Sequence, residues 1–262
     1  MVAIYRPHLP NMLSFLKRWR ERSILARHPI AEADWRAVLA HSTPIRRLPA
    51  SDQARLRVLA TFLLQEKSLE PVQGLALTGA MRARLAALAC LPVLNLGLTW
   101  YRGWHSMVVY PDIFVPEREH VDAAGVVHRS HTPLAGEAWQ LGPVILAWGE
   151  VDQAAAGHNV VIHELAHKLD MLNGEANGFP PLHLRMNRRT WSRVLNGAYH
   201  ELERRADQGE PLPLDGYGLE SPGEFFAVAS ETFFEAPRRL MDFSPELYQQ
   251  LSLFYRQRPL AD

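Results

Sequence analysis

Apolar residues recur at helical spacing through much of the first ninety positions. Residues 15–26 form an amphipathic, Arg-rich stretch, and residues 30–40 keep the same period. Residues 51–66 set Leu56, Leu59, Leu63 and Leu64 on one side, with Ser51 as candidate N-cap. Thr78 is placed to cap a further helix over residues 79–89. After Pro92 the pattern shortens. Residues 107–110, 113–115, 126–128 and 144–148 are brief β-rich runs bounded by Pro, Gly and Asp, which predict a small sheet. From Asn159 the helical period returns. Asn159 can cap a helix running to Asn173, with Gly174 as its stop. A long helix is expected over 185–205 and a Gly-, Pro- and Asp-rich loop over 206–221. A last helix is expected from Pro222 to about Glu235, where Pro237 bars extension. Helices, then strands, then helices predict an α+β fold, mostly helical, with a small mixed sheet.

Composition narrows the picture. The chain has 262 residues, 47% of them hydrophobic, enough to bury a sizeable core. One domain over residues 1–262 is expected, with a helical part about 1–90 packed on a part about 91–262. Twenty-eight basic residues balance 28 acidic ones, so direct nucleic-acid binding is not expected. The single cysteine, Cys90, rules out an intrachain disulfide framework and a Cys-rich zinc site, and the cytoplasm is the expected compartment. The N-terminus lacks the uninterrupted apolar core of a signal peptide. The most apolar stretch, residues 85–98, is interrupted by Pro92 and Asn95 and is too short for a transmembrane segment. Lys17, Arg18, Arg20 and Arg22 give the first helix a basic face, either simply solvated or meeting a membrane surface.

The chemistry concentrates in residues 160–170, which contain His163-Glu164-x-x-His167. Residues i and i+4 share a helix face, so both imidazoles can reach one metal ion. Glu164 follows the first histidine and stands beside the open coordination position, where it can take a proton from water. Val160, Val161, Ile162, Leu165, Leu169 and Leu172 surround the helix with apolar residues, which predicts burial. Buried histidines need partners; hydrogen bonds are the bland answer and a divalent metal the chemical one.

A catalytic zinc needs a third protein ligand. Asp170 and Asn173 stand where a three-histidine continuation of the motif would need Gly and His, so a later carboxylate is expected. Glu224 and Glu231 are seven apart, hence on nearly one helix face; one can bind metal while the other holds a histidine. Ser221-Pro222-Gly223-Glu224 also has the form of a capping box, and spacing alone leaves the two readings of Glu224 open. Asp170, one turn after His167, is either a histidine-orienting carboxylate or a helix-end partner of Lys168. Tyr217 lies in the Gly-rich loop seven residues before Glu224, as packing or as an oxyanion donor. The remaining histidines, His158 among them, lack ligand spacing and read as surface or hydrogen-bonded residues.

Taken together, residues 161–170 (VIHELAHKLD) and 222–231 (PGEFFAVASE) resemble the Mlc titration factor A family. Supporting stretches are Glu66-Lys67, residues 89–97, Tyr110-Pro111-Asp112 and residues 142–149, and the resemblance spans about Ile45 to Leu240. These are bacterial cytosolic zinc metallopeptidases with a catalytic region like that of anthrax lethal factor. The resemblance implies a zincin-like fold and one Zn2+ per chain, bound by His163, His167 and Glu224. It implies Glu164 as general base and Tyr217 as oxyanion donor. Lethal factor carries a second glutamate four residues after its ligand glutamate; here that position is Val228, which shifts any supporting role to Glu231 or Asp170. The expected activity is peptide-bond hydrolysis of aminopeptidase type, with residues 144–148 offering a strand edge to an extended peptide. The family's namesake binds a transcriptional repressor. The rival reading is therefore a repressor-sequestering binding protein in which zinc and hydrolysis are incidental.

Overall fold

A computed structural model describes residues 22–113, 118–121, 127–130, 136–138, 141–153 and 157–260. The helical spacing at the start of the chain gives α1 (Glu32–His41), the short α2 (Thr43–Arg46) and α3 (Ala50–Glu66). Residues 22–27 are also helical, and the remainder of the basic stretch lies outside the described residues. α3 starts at Ala50, so Ser51 sits inside it, and Pro49 holds the cap position without a side-chain hydrogen bond. After β1 (Ser68–Pro71) comes α4 (Gly79–Cys90). Thr78 caps it as expected, its hydroxyl accepting the Met81 N–H at 3.2 Å. The alanines of α4 allow close approach of α1 and α3 on its flanks.

The sheet is assembled from β2 (Ser106–Tyr110), a separate antiparallel hairpin β3 (Arg118–Val121) and β4 (Val127–Ser130), then β5 (Gly136–Ala138) and β6 (Val144–Ala147). Its order is β1-β2-β6-β5, with β1, β2 and β6 parallel and β5 antiparallel to β6, a mixed sheet. Met107 faces Val144 and Val109 faces Leu146 in register, and these side chains are buried. Trp148, expected at the end of a strand, instead opens α5 (Trp148–Asp152). Residue 113 is not in a strand, and residues 114, 115 and 126 lie outside the described residues. The expectation that residues 144–148 form a free edge is corrected here. β6 is hydrogen-bonded on both sides, and β5 is the last strand of the sheet among the described residues.

The second half supplies α6 (Val160–Asp170), α7 (Arg188–Asp207), α8 (Pro222–Glu235), α9 (Pro237–Phe243) and α10 (Pro245–Tyr255). Asn159 caps α6 through its side-chain oxygen, which accepts the Ile162 N–H at 3.2 Å. A 3-10 turn, Met171–Asn173, ends the helix, and Gly174 breaks it with φ 147°. α6 lies between α8 and strands β5 and β6. Val161, Ile162, Leu165, Ala166 and Leu169 are fully buried, while Leu172 emerges beyond the helix end. Burying such aliphatic side chains stabilises by roughly 1.5–3 kcal/mol for each of the larger ones, which fixes the rotation of α6 about its axis. Phe226 and Phe233 of α8 meet Phe254 and Tyr255 of α10, Phe225 meets Tyr199 of α7, and the Tyr255 hydroxyl donates to Ser230 at 2.7 Å. One continuous cluster of buried apolar residues runs from Ile30 to Tyr255. Among the described residues, no helix is long and apolar enough to cross a membrane.

Candidate metal centre

Because α6 is locked by its apolar faces, His163 and His167 project together toward the start of α8. Their ring centroids are 4.8 Å apart. Glu224 Oε2 lies 3.0 Å from His163 Nε2 and 3.1 Å from His167 Nε2, and the two Nε2 atoms are 3.2 Å apart. Both sequence readings of Glu224 meet in this arrangement. Its backbone N–H is capped by the Ser221 hydroxyl at 3.1 Å, but its carboxylate turns to the histidines. Burial alone would raise the Glu224 carboxyl; the two imidazoles outweigh it and hold the pKa at about 2.

The protonation pattern bears on whether a cation fits. His163 Nδ1 lies 2.6 Å from Glu231 Oε1, and the other Glu231 oxygen accepts the Asn159 backbone N–H at 2.6 Å. A neutral His163 keeps its one proton on Nδ1 toward Glu231, so its Nε2 presents a lone pair. That lone pair meets a carboxylate oxygen and a second imidazole nitrogen. Without a cation the arrangement is relieved by protonating His163: burial opposes the charge, but Glu224 and Glu231 together hold its pKa well above the ordinary value. A metal ion can take the place of that proton. Ligand atoms 2.0–2.1 Å from a tetrahedral ion stand about 3.4 Å apart, close to the separations here. The three residues form a set whose ligand atoms all lie within 4.8 Å of one another.

Glu164 is 5% exposed. Its pKa is pushed up to about 8, first by burial, then against the pull of His163 by the nearby carboxylates of Glu224, Glu231 and Glu137. β5 presses on it from the sheet side. A Cβ on Gly136 would stand 2.5 Å from Glu164 Oε1, so only glycine admits this approach of strand to helix. Tyr217 occupies a 3-10 turn, Gly216–Leu219, and its ring centroid is 5.9 Å from that of His163. It already stands beside the site, although its side chain is 43% exposed.

Asp170 is fully buried, and one of its oxygens accepts the Gly178 N–H at 2.7 Å. Burial raises its pKa to about 6. No hydrogen bond joins it to His167: Asp170 Oδ1 and His167 Nδ1 are both buried without a partner. Val228, at the position of lethal factor's second glutamate, is buried and packs beside Gly218. Three features were not singled out from the sequence. Asn159 is tied to Glu235 as well as Glu231, through Nδ2 at 2.6 Å. Lys168 is buried, donating to the Gly142 carbonyl at 2.9 Å, and burial lowers its pKa to about 8. His158 meets Asp215 at 3.2 Å. An Asn immediately before a helix and an Asp two residues before Tyr217 were the available signals; nothing local marked Lys168.

The sequence profile described as glucose-regulated metallo-peptidase M90 matches residues 16–256. The chain belongs to that metallopeptidase family. It is 40% identical over 243 residues to Mlc titration factor A of Yersinia enterocolitica serotype O:8 / biotype 1B, covering 90% of each protein. It is 42% identical over 234 residues to Mlc titration factor A of Serratia proteamaculans, covering 87% of this chain and 88% of the relative. As an M90 metallopeptidase the chain requires a metal, and the His163–His167–Glu224 cluster has the donor set to hold one.

Proposed function

We propose that the chain is a zinc aminopeptidase in which His163, His167 and Glu224 hold a single ion. The convergence of the three ligand atoms, with Glu164 buried beside them, carries this reading. Two imidazoles and one carboxylate with room for a further ligand are the donor set of a catalytic zinc. When bound, zinc supplies a Lewis acid that polarises the scissile carbonyl and acidifies a water. Glu164 takes the proton of the attacking water and returns it to the leaving amine. Tyr217 donates its hydroxyl to the carbonyl oxygen as negative charge develops there. Glu231 keeps the His163 proton on Nδ1 and so keeps Nε2 available to the metal. Asp170, near enough for His167 to act on its charge, is the carboxylate that supports His167 from the far side of the metal. An extended peptide adds its backbone to β5, the described edge strand that packs beside α6. The continuous core from Ile30 to Tyr255 supports treating the described residues as one catalytic unit, and the lone buried Cys90 accords with a cytoplasmic protein.

A second reading draws on the relatives' name, Mlc titration factor A. It has the chain bind a transcriptional repressor, with hydrolysis incidental. Assay of metal content beside hydrolysis of a panel of chromogenic aminoacyl substrates separates the two. The aminopeptidase reading expects hydrolysis that a chelator abolishes and zinc restores. A zinc-loaded protein that cleaves none of the panel yet binds repressor leaves only the second reading.

A further inference from the structure

We propose that His158 is a positioning residue for Tyr217, fastening the tyrosine's turn to the entrance of the metal helix through Asp215. This rests on the reading that the Tyr217 hydroxyl serves the transition state. One carboxylate makes the link. Asp215 Oδ2 lies 3.2 Å from His158 Nε2, and Asp215 Oδ1 accepts the Tyr217 backbone N–H at 2.8 Å. The side of the link that carries His158 is a rigid post. Asn159, the next residue, is held through its backbone N–H by Glu231 and through its side chain by Glu235, each at 2.6 Å. Gly157, the residue before, has φ +105° and lies so close to Arg239 that a Cβ would stand 2.6 Å from Nη2. Backbone of that conformation under that contact is available to glycine alone.

The other side of the link is seated on the core: Leu214, next to Asp215, is 3% exposed, and Gly218 is buried. At the far end of the Tyr217 turn the Leu219 carbonyl accepts the Tyr199 hydroxyl at 3.0 Å, and Gly218 rests against Phe225 and Val228. At the near end the turn is continuous with the Gly- and Pro-containing loop that follows Gln208, which has no helix or strand before Gly216. Beside the buried Leu214, the His158–Asp215 pair adds a polar tie from that end to the entrance of α6. Its members are 56% and 36% exposed, so the tie is weak, in the range that opens and closes readily. Added to the seating of Leu214 and Gly218, a weak tie of this kind trims the placement of the tyrosine and leaves the ring itself unchanged.

The test combines His158→Ala, His158→Gln and Tyr217→Phe in the zinc-loaded full chain, read by steady-state kinetics and by limited proteolysis of the 208–215 loop. His158→Ala is expected to lower kcat about two- to fivefold, the reach of an exposed pair, with KM and zinc content unchanged. His158→Gln keeps a donor for Asp215 and should recover most of the loss. In the Tyr217→Phe background His158→Ala should lower kcat no further, because a residue acting through the hydroxyl has nothing left to position. Cleavage of the loop should quicken in His158→Ala. A wild-type cleavage rate in His158→Ala overturns the tie. So does a kcat loss that persists undiminished in the Tyr217→Phe background. Wild-type turnover in Tyr217→Phe by itself overturns the parent reading of the tyrosine, and the proteolysis arm still decides whether His158 holds the turn.

Discussion

Replacing Glu164 by Gln separates the burial of this carboxylate from its chemistry. The substitution keeps the side chain's shape at a position that is 5% exposed. In the metal-free protein the Glu164 pKa rises from the ordinary 4.5 to about 8, chiefly through burial. The folded state therefore holds a proton that the unfolded state releases first. That proton's contribution to stability is fully present below pH 4.5 and is lost as pH rises through about 8. One proton changes stability by up to about 1.4 kcal/mol per pH unit, so the window from 4.5 to about 8, which already contains the pull of His163, carries on the order of 5 kcal/mol at most. Urea unfolding of chelator-treated wild type and Glu164→Gln at about pH 5 and pH 8 reads the difference. The variant should match wild type at the lower pH and exceed it at the higher by up to that amount. Reloaded with zinc, it should retain the metal and lose turnover by at least about a hundredfold, because an amide cannot accept the proton. Parallel stabilities at both pH values, or wild-type turnover, would refute the reasoning.

Other expected outcomes follow from the same geometry. Glu224→Ala should abolish zinc binding, whereas Ser221→Ala should keep zinc and lose about 1 kcal/mol of stability as a missing cap; metal titration and urea unfolding of both variants check this, and a Glu224→Ala protein of full affinity would leave the carboxylate no metal role. Tyr217→Phe should keep its fold and zinc while kcat falls about a hundredfold with little change in KM, and steady-state kinetics showing a rise in KM alone would point to substrate binding instead. Gly136→Ala would put a methyl group 2.5 Å from Glu164 Oε1 and 2.7 Å from Val160 Cγ2. It should cost about 1–3 kcal/mol and depress turnover, and a variant indistinguishable from wild type in thermal unfolding and turnover would mean that β5 yields freely.

What was legible in the sequence was local. Asn159 and Thr78 cap helices because their short polar side chains reach back to a free N–H three residues on, and that chemistry needs no distant partner. His163 and His167 share a face by helix geometry alone. The division of labour between Glu224 and Glu231 was not legible, since both occupy one face of α8. It depends on the depth at which α8 meets α6, which brings Glu224 to the two Nε2 atoms and Glu231 to the far side of His163. β1 was missed because it is largely exposed and ends in Pro71, and β5 because three residues, Gly-Glu-Ala, carry no alternation. Missing β5 is what made β6 look like an edge: strand order is set by pairing between segments distant in sequence. Likewise the burial of Lys168 follows from the carbonyl of Gly142, 26 positions away in the chain.

Metal stoichiometry is the most direct test of whether His163, His167 and Glu224 hold one ion. Elemental analysis of purified wild-type protein, His163→Ala and His167→Ala, with far-UV circular dichroism to verify the fold, should find about one zinc per wild-type chain and essentially none in either variant. Folded His163→Ala and His167→Ala proteins that both carry wild-type zinc would contradict it.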